Sequence, residues 1–253
     1  MRRWVRRVGV LALAAGVLAA VGFVIWAEHP MQAEAKPLAA VRADPLLTYR
    51  DRGDAVVLTP TRPSGTGLVF LAGARVDAAA YAWKLSGIAD QGVTVVVVRP
   101  VLNFAIVENR PLPTFERYDP LVRSWLVGGH SLGGVRACQY AADATGSRPG
   151  AAKVAGLVLL GSYCAADLSK QKDLPVLSIG GMHDGLSTPE RITAARHLLP
   201  PGAHLVEIPG AVHAQFGNYG VQPGDGTPSI PDAAVRTAIT KDVLAFLTDP
   251  ETD

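Results

Sequence analysis

The sequence has few charged residues, and outside its first seven positions neither sign of charge predominates. Asp, Glu, Lys and Arg make up 18% of the 253 residues. Four of the 24 basic residues (Arg2, Arg3, Arg6 and Arg7) lie at the start, and the remaining 20 are balanced by 22 acidic ones. A nucleic-acid-binding protein needs a concentrated basic face. The sequence therefore excludes nucleic acid as a partner.

The sequence also lacks the spacings that hold metals or phosphates. No group of His, Cys and acidic residues has zinc spacing, and no glycine-rich loop has a phosphate-binding form. Only two cysteines occur, Cys138 and Cys164, and neither lies in a sharp glycine-flanked turn. We expect no metal, no cofactor and no cysteine nucleophile.

Apolar residues are abundant, at 49%, which excludes disorder over most of the chain. Residues 8–26 (VGVLALAAGVLAAVGFVIW) contain neither a charge nor a proline. As a helix this run would be about 28 Å long, close to the ~30 Å hydrocarbon core of a bilayer. The arginines before it should stay cytoplasmic. We predict that residues 1–27 are a transmembrane signal anchor, with the rest of the chain on the exoplasmic side.

A cleaved signal peptide is the alternative, and it would make the protein secreted. Ala33-Glu34-Ala35 has the form of a cleavage site. It lies far beyond the apolar run, however, and that run is longer than the usual 7–15 residues of a signal peptide. The length of the run favours the anchor.

From residue 51 to residue 253 the sequence alternates between short apolar runs and helical patterns, which predicts one α/β domain. The predicted strands are residues 55–59, 67–72, 93–98, 125–127, 154–161, 175–180 and 204–208, and the predicted helices are residues 76–90, 132–144, 189–199 and 231–247. Such alternation indicates a mostly parallel twisted sheet with helices on both faces. Residues 28–50 have scattered prolines and no sustained period, and we predict a linker there.

A glycine-flanked serine stands between the strand at 125–127 and the helix that follows it, in the order Gly129-His130-Ser131-Leu132-Gly133. Glycines at these positions allow a sharp strand-to-helix turn that exposes the serine oxygen above the carboxyl edge of the sheet. The pattern predicts that Ser131 is a nucleophile. The N–H of Leu132, at the start of the helix, is a predicted oxyanion donor.

Two further residues follow later strands in the order that an acid-then-histidine triad requires. Asp184 comes shortly after the strand at 175–180, and His213 comes five residues after Ile208. We predict that His213 takes the proton of Ser131 and that Asp184 orients His213. A second oxyanion donor is expected in the turn after residues 67–72, where Ala74 is favoured and Arg75 is the alternative.

Three other polar residues have plainer interpretations. His130 is expected to pack rather than react, because its side chain should point away from the serine oxygen. His183 adjoins Asp184, and adjacent residues rarely let a carboxylate orient an imidazole toward a third group. Asp225 is interpreted as a turn residue, with a modest catalytic or loop-ordering role left open.

With these residues in place, the chain resembles the α/β-hydrolase family, and most closely its compact bacterial members related to dienelactone hydrolase-like esterases. GHSLGG, HDGLS and VHAQFG carry the resemblance, which covers roughly residues 55–248. It implies an α/β-hydrolase fold and assigns nucleophile, acid and base to Ser131, Asp184 and His213. Dienelactone hydrolases use a cysteine nucleophile, so a serine here favours ordinary ester hydrolysis.

The expected activity is that of a membrane-anchored serine hydrolase acting on a small-molecule carboxylic ester through an acyl-enzyme. Only residues 162–174 separate two predicted strands where many relatives insert a lid, so we expect an open site without a lid domain. An acyltransferase with the same triad is an alternative, as are a lipid-modifying enzyme of the envelope and a non-catalytic binding protein on a hydrolase scaffold.

Export would permit a disulfide between the two cysteines, but the expected geometry opposes it. The helix should carry Cys138 about 10 Å from the carboxyl edge of the sheet, whereas Cys164 should stay at that edge. We therefore expect two free thiols, with Cys138 buried and Cys164 partly exposed.

Overall fold

A computed structural model describes residues 2–145 and 154–248. The helices in the described part are α1 (Arg2–Ala27), α2 (Ala35–Arg42), α3 (Ala82–Ala89), α4 (Pro113–Glu116), α5 (Leu132–Thr145), α6 (Pro189–Ala194) and α7 (Asp232–Thr248). The strands are β1 (Leu47–Asp51), β2 (Ala55–Pro60), β3 (Thr66–Leu71), β4 (Thr94–Val98), β5 (Ser124–His130), β6 (Val154–Leu160), β7 (Val176–Gly181) and β8 (His204–Ile208). Short 3₁₀ turns cover Ala78–Tyr81, Val101–Asn103, Ala105–Val107, Ala195–Leu198 and His213–Phe216.

The eight strands form a single sheet in the order β1-β2-β4-β3-β5-β6-β7-β8. The strands from β3 to β8 run parallel to one another, and β2 is antiparallel to both β1 and β4. This topology confirms the predicted α/β fold with its mostly parallel sheet. It also brings the carboxyl ends of six strands to one edge, which we call the carboxyl edge.

Apolar side chains cover both faces of the sheet. Along β4, Val95 and Val97 pack into one core cluster with α3 and α7, and Val96 and Val98 pack into the other with α5. Successive side chains of a strand point to opposite faces, so a continuous run of valines is what a strand buried on both faces requires. The apolar run at 93–98 is therefore covered on both faces, as predicted from the sequence.

Helix α1 is long and apolar enough to cross a membrane over Gly9–Ala27, and only 6% of that span is buried. By length and composition, it could equally be a signal anchor or a signal peptide. Its last residue, Ala27, is the exception to this exposure and is fully buried.

The segment 28–50, predicted to be a linker, contains α2 and most of β1. Val41 and Leu47 are buried against the core, and Met31 forms a β-bridge with Val76. The segment is thus part of the packed domain. Its strand is hard to predict because β1 lies at the sheet edge, where only its first residue is buried.

The expectation of two free thiols is wrong, because Cys138 and Cys164 form a disulfide with Cα atoms 5.6 Å apart. After β6 the chain does not stay at the carboxyl edge but runs back along α5. Ser162 lies against Gly134, four residues before Cys138. Four helical residues rise about 6 Å and two extended residues span about 7 Å, so Cys164 arrives opposite Cys138. Cys164 is also buried rather than partly exposed.

Candidate active site

Ser131 occupies the sharp turn between β5 and α5. Its backbone is in the left-handed region, with φ 52°, a conformation that residues with a side chain rarely adopt. The flanking glycines are required by close packing. A Cβ on Gly129 would lie 2.3 Å from the carbonyl carbon of Gly133, and a Cβ on Gly133 would lie 2.1 Å from the carbonyl oxygen of Leu71. The predicted turn is present and abuts the end of β3.

Asp184 and His213 form a buried hydrogen-bonded pair. Asp184 Oδ2 lies 2.8 Å from His213 Nδ1, and both side chains are almost fully buried. Asp184 Oδ1 accepts hydrogen bonds from the N–H groups of Leu186 and Ser187 at 2.8 and 2.7 Å. Because an ionised carboxylate only accepts hydrogen bonds, Nδ1 carries the proton of the neutral imidazole and Nε2 is the acceptor. Nε2 is buried, and no described residue, Ser131 included, is hydrogen-bonded to it.

The loop after β6 connects Ser131 with this pair. The hydroxyl of Ser162 donates a hydrogen bond to the carbonyl oxygen of Ser131 at 2.7 Å. A Cβ on the preceding residue, Gly161, would lie 3.1 Å from Asp184 Oδ2. The serine and the acid therefore lie on either side of one short loop. The structure gathers all three predicted triad residues at the carboxyl edge, although only Asp184 and His213 are hydrogen-bonded to each other.

The predicted oxyanion donors differ in whether their N–H groups are free. The N–H of Arg75 donates to the carbonyl oxygen of Asn103 at 2.7 Å and is therefore occupied. Within the described part of the chain, neither the N–H of Ala74 nor that of Leu132 has a hydrogen-bond partner. The geometry thus favours Ala74 over its alternative Arg75.

His130 packs in the interior, as expected. Its Nδ1 lies 2.9 Å from the hydroxyl oxygen of Tyr81, and that oxygen accepts a hydrogen bond from the N–H of Gly73. Its ring lies beside that of His213, with centroids 4.3 Å apart. Burial, together with the neighbouring His213, holds the pKa of His130 well below its ordinary value. His130 is therefore neutral at physiological pH and adds no charge beside the pair.

Asp225 links the loop that contains Asp184 to the turn that contains His213. Its Oδ1 accepts hydrogen bonds from the N–H groups of Gly185 and His213, both at 3.1 Å, and its Oδ2 accepts one from Ala214 at 2.8 Å. The carboxylate does not touch the imidazole ring in any hydrogen bond of the described residues. Asp225 belongs to no recognisable motif, and only its closeness in sequence to His213 pointed to a role. Its contacts favour loop ordering over a direct catalytic role.

The structure does not favour His183 as the base or a metal site in the described residues. His183 is exposed, and its Nδ1 lies 3.2 Å from the carbonyl oxygen of Thr227, so its ring is engaged away from the pair. Over residues 2–145 and 154–248, no group of three or more His, Cys, Asp or Glu side chains could hold a metal ion.

Residues 67–237 match the sequence model of the Alpha/beta hydrolase family. The chain belongs to the alpha/beta hydrolase family. This confirms the family resemblance drawn from the sequence. The matched part of this alpha/beta hydrolase runs from β3 into α7 and includes Ser131, Asp184 and His213. No curated protein matches the sequence.

Several solved structures are similar to this alpha/beta hydrolase. Est1E from Butyrivibrio proteoclasticus has a TM-score of 0.53 and 14% sequence identity, over 80% of this chain and 99% of that one. A thermophilic esterase from Thermogutta terrifontis, with malate bound, has the same score, identity and coverage. Thermogutta terrifontis esterase 2, phosphoramylated by tabun, has a TM-score of 0.52 and 11% identity, over 81% of this chain and 96% of that one. At these identities the likeness shows the fold alone.

Proposed function

We propose that this alpha/beta hydrolase is a serine esterase that cleaves carboxylic esters through an acyl-enzyme on Ser131. The observation that carries the proposal is the buried Asp184–His213 pair beside a serine with left-handed backbone. A binding protein needs no such buried pair, whereas a serine nucleophile needs an oriented base. The similar structures from Thermogutta terrifontis are of esterases, which supports an ester as substrate.

In the first half of the reaction, Ser131 Oγ attacks the carbonyl carbon of the ester while its proton passes to His213 Nε2. The carboxylate of Asp184 keeps Nε2 unprotonated beforehand and stabilises the imidazolium afterwards. When the tetrahedral intermediate collapses, the ester C–O bond breaks and the alcohol leaves with the proton from Nε2. The acyl group remains on Ser131.

In the second half, water attacks the acyl carbon and gives its proton to His213 Nε2. Collapse of this second intermediate breaks the bond to Ser131 Oγ, which recovers the proton, and the carboxylic acid is released. The N–H groups of Leu132 and Ala74 stabilise the oxyanion in both halves. Their lack of any other partner supports this role, because preorganised donors need no rearrangement as charge develops.

We infer that the site is open to its surroundings. Residues 161–175, between β6 and β7, contain no helix and therefore no lid domain at that position. An open site has no deep tunnel around an acyl chain. The proposed substrates are esters whose acyl group is short or remains outside the protein.

We propose that α1 is retained as a membrane anchor and holds the domain on the exoplasmic side. Cleavage at Ala33-Glu34-Ala35 would remove Met31, whose N–H donates to the carbonyl oxygen of Arg75 and whose carbonyl oxygen accepts from Asp77. It would also remove Glu34, whose N–H donates to the carbonyl oxygen of Asn218. These contacts make the segment after α1 part of the fold and support retention.

Labelling with a fluorophosphonate probe tests the nucleophile. Ser131→Ala should abolish labelling and lower kcat on a nitrophenyl ester by roughly 10³–10⁶-fold. Ser162→Ala is the matched control, because Ser162 is a neighbouring buried serine outside the turn, and this variant should still be labelled. Labelling that persists in Ser131→Ala would place the nucleophile elsewhere.

A further inference from the structure

The C-terminal end of α1 packs against the turn that contains the proposed oxyanion donor Ala74. Arg75, the next residue, donates from Nε to the carbonyl oxygen of Trp26 at 3.2 Å and from a terminal nitrogen to that of His29 at 2.8 Å. Its guanidinium carbon lies 4.0 Å from the centre of the Trp26 ring. The end of the apolar helix is therefore one residue away from the proposed oxyanion hole.

A second set of contacts joins the C-terminal end of α1 to the segment that follows β4. The side-chain amide of Asn103 donates to the carbonyl oxygen of Ala27 at 3.0 Å. The ring of Phe104 lies 6.0 Å from that of Phe23 and 5.8 Å from that of Trp26, measured between centroids. Both contacts lie at the carboxyl edge, because they follow the ends of the parallel strands β3 and β4.

Exposed apolar side chains continue from this contact across the same segment. Residues 100–107 (PVLNFAIV) contain no charge. Val101, Ile106 and Val107 are 44%, 52% and 48% exposed, and together with Phe104 we call them the apolar rim. The rim adjoins the apolar surface of α1, which in the proposed anchor is covered by lipid.

These contacts also fix the orientation of the domain. A flexible linker of the length of residues 28–50 would let its ends separate by roughly 25 Å and would leave the domain free to rotate. Instead, Ala27 at the end of α1 and His29, two residues later, both accept hydrogen bonds from the domain. The carboxyl edge is thus held where the anchor leaves the membrane.

We propose that the apolar rim inserts into the interfacial layer of the anchor's own membrane, and that the esters cleaved at Ser131 are amphiphiles drawn from that layer. The proposal rests on the proposed esterase function and on the retained anchor. It explains how an open site can serve a long acyl chain, since the chain stays in the lipid and only the ester group enters the site. Apolar side chains at an interface bind in proportion to the apolar area they bury.

The activity test uses the full-length protein in phosphatidylcholine vesicles with two nitrophenyl esters. The acetate is water-soluble, and the palmitate partitions into the bilayer. The double variant Ile106→Glu/Val107→Glu should lose at least tenfold in turnover of the palmitate and keep its turnover of the acetate within twofold. Leu121→Glu is the matched control, because Leu121 is 72% exposed but precedes β5, at the opposite edge. It should leave both rates unchanged.

Undiminished palmitate turnover in the double variant would overturn the proposal, as would an equal loss in Leu121→Glu. A wild-type protein that hydrolyses neither ester would instead refute the esterase function, and a Ser131→Ala variant that hydrolyses both would refute Ser131 as the nucleophile. The two failures are therefore distinguishable.

A second measurement does not depend on activity. Both native cysteines are in the disulfide, so Ile106→Cys and Leu121→Cys each provide one thiol for an environment-sensitive fluorophore. Quencher lipids should quench the fluorophore at position 106 and leave the one at 121 unaffected. A fluorophore at 106 that is shielded from water yet not quenched by lipid would indicate contact between copies of the chain and would overturn the proposal.

Discussion

Replacing Cys138 and Cys164 together by alanine should lower the free energy of unfolding by about 3.5 kcal/mol. The disulfide joins residues 26 apart in the sequence. A cross-link stabilises mainly by restricting the unfolded chain, and the loop-entropy relation gives about 3.5 kcal/mol at 25 °C for a loop of this length. Small domains are typically stable by only about 5–15 kcal/mol. The loss would therefore remove a large share of the stability.

Packing adds to this entropic effect, because both cysteines are buried in the same core cluster. Alanine removes two sulfur atoms from a dense core, and the resulting cavity lowers stability further. The wild-type protein treated with dithiothreitol is the matched control, since reduction breaks the bond but keeps both side chains. The difference between wild type and reduced wild type measures the cross-link, and any further loss in the alanine variant measures packing.

Urea unfolding in a non-ionic detergent gives these free energies. Thiol counting on the unfolded, unreduced wild-type protein checks the bond directly and should find no reactive thiol. Two reactive thiols, together with an unfolding midpoint that reduction does not move, would refute the reasoning.

The remaining predictions concern the acid, the buried histidine and the anchor. Asp184→Asn should lower kcat by a factor on the order of 10⁴, because it disturbs the tautomer of the imidazole. Asp225→Asn should retain far more activity, because the Asp225 carboxylate contacts backbone N–H groups. Steady-state rates in the reverse order would reassign the acid. The pKa of His130 is depressed in the folded state, so below pH 6.5 the unfolded chain binds a proton that the folded protein does not. This group therefore leaves the free energy of unfolding unchanged above pH 6.5 and lowers it as the pH falls below that value. The free energy of unfolding, measured by urea titration from pH 8 to 5, should therefore fall by up to about 1.4 kcal/mol per pH unit below pH 6.5 because of this group. His130→Gln should flatten this slope, and an unchanged slope would contradict the depressed pKa. In cell fractionation the protein should be released from membranes by detergent but not by high salt, and recovery of a soluble form beginning near Lys36 would show cleavage.

The elements with strong local signals could be predicted from the sequence. The strands β2 to β7 are short, largely apolar runs bounded by glycine, proline or polar residues, and a strand covered on both faces leaves that pattern. The turn at Ser131 was predictable for a similar reason, since its glycines are required by backbone contacts that no other residue permits. Asp184 and His213 follow their strands directly, so the parallel sheet brings them to the same edge.

The features that depend on how segments lie against each other could not be predicted. The disulfide forms because the loop after β6 runs back along α5, and no local pattern encodes that direction. The contacts of Asp225 join two loops through backbone N–H groups, which any sequence supplies. The edge strand β1 buries a single residue, so it carries almost no apolar signal.

The docking of the segment after α1 has a practical consequence for producing a soluble protein for crystallisation. A shortened chain that starts at Lys36 would lose the β-bridge between Met31 and Val76. One that starts at Ala27 would keep this bridge, along with the bonds of Asn103 and Arg75 to Ala27 and His29. Its Phe104 would lose both aromatic partners, so Phe104→Ser is the accompanying change that would limit aggregation.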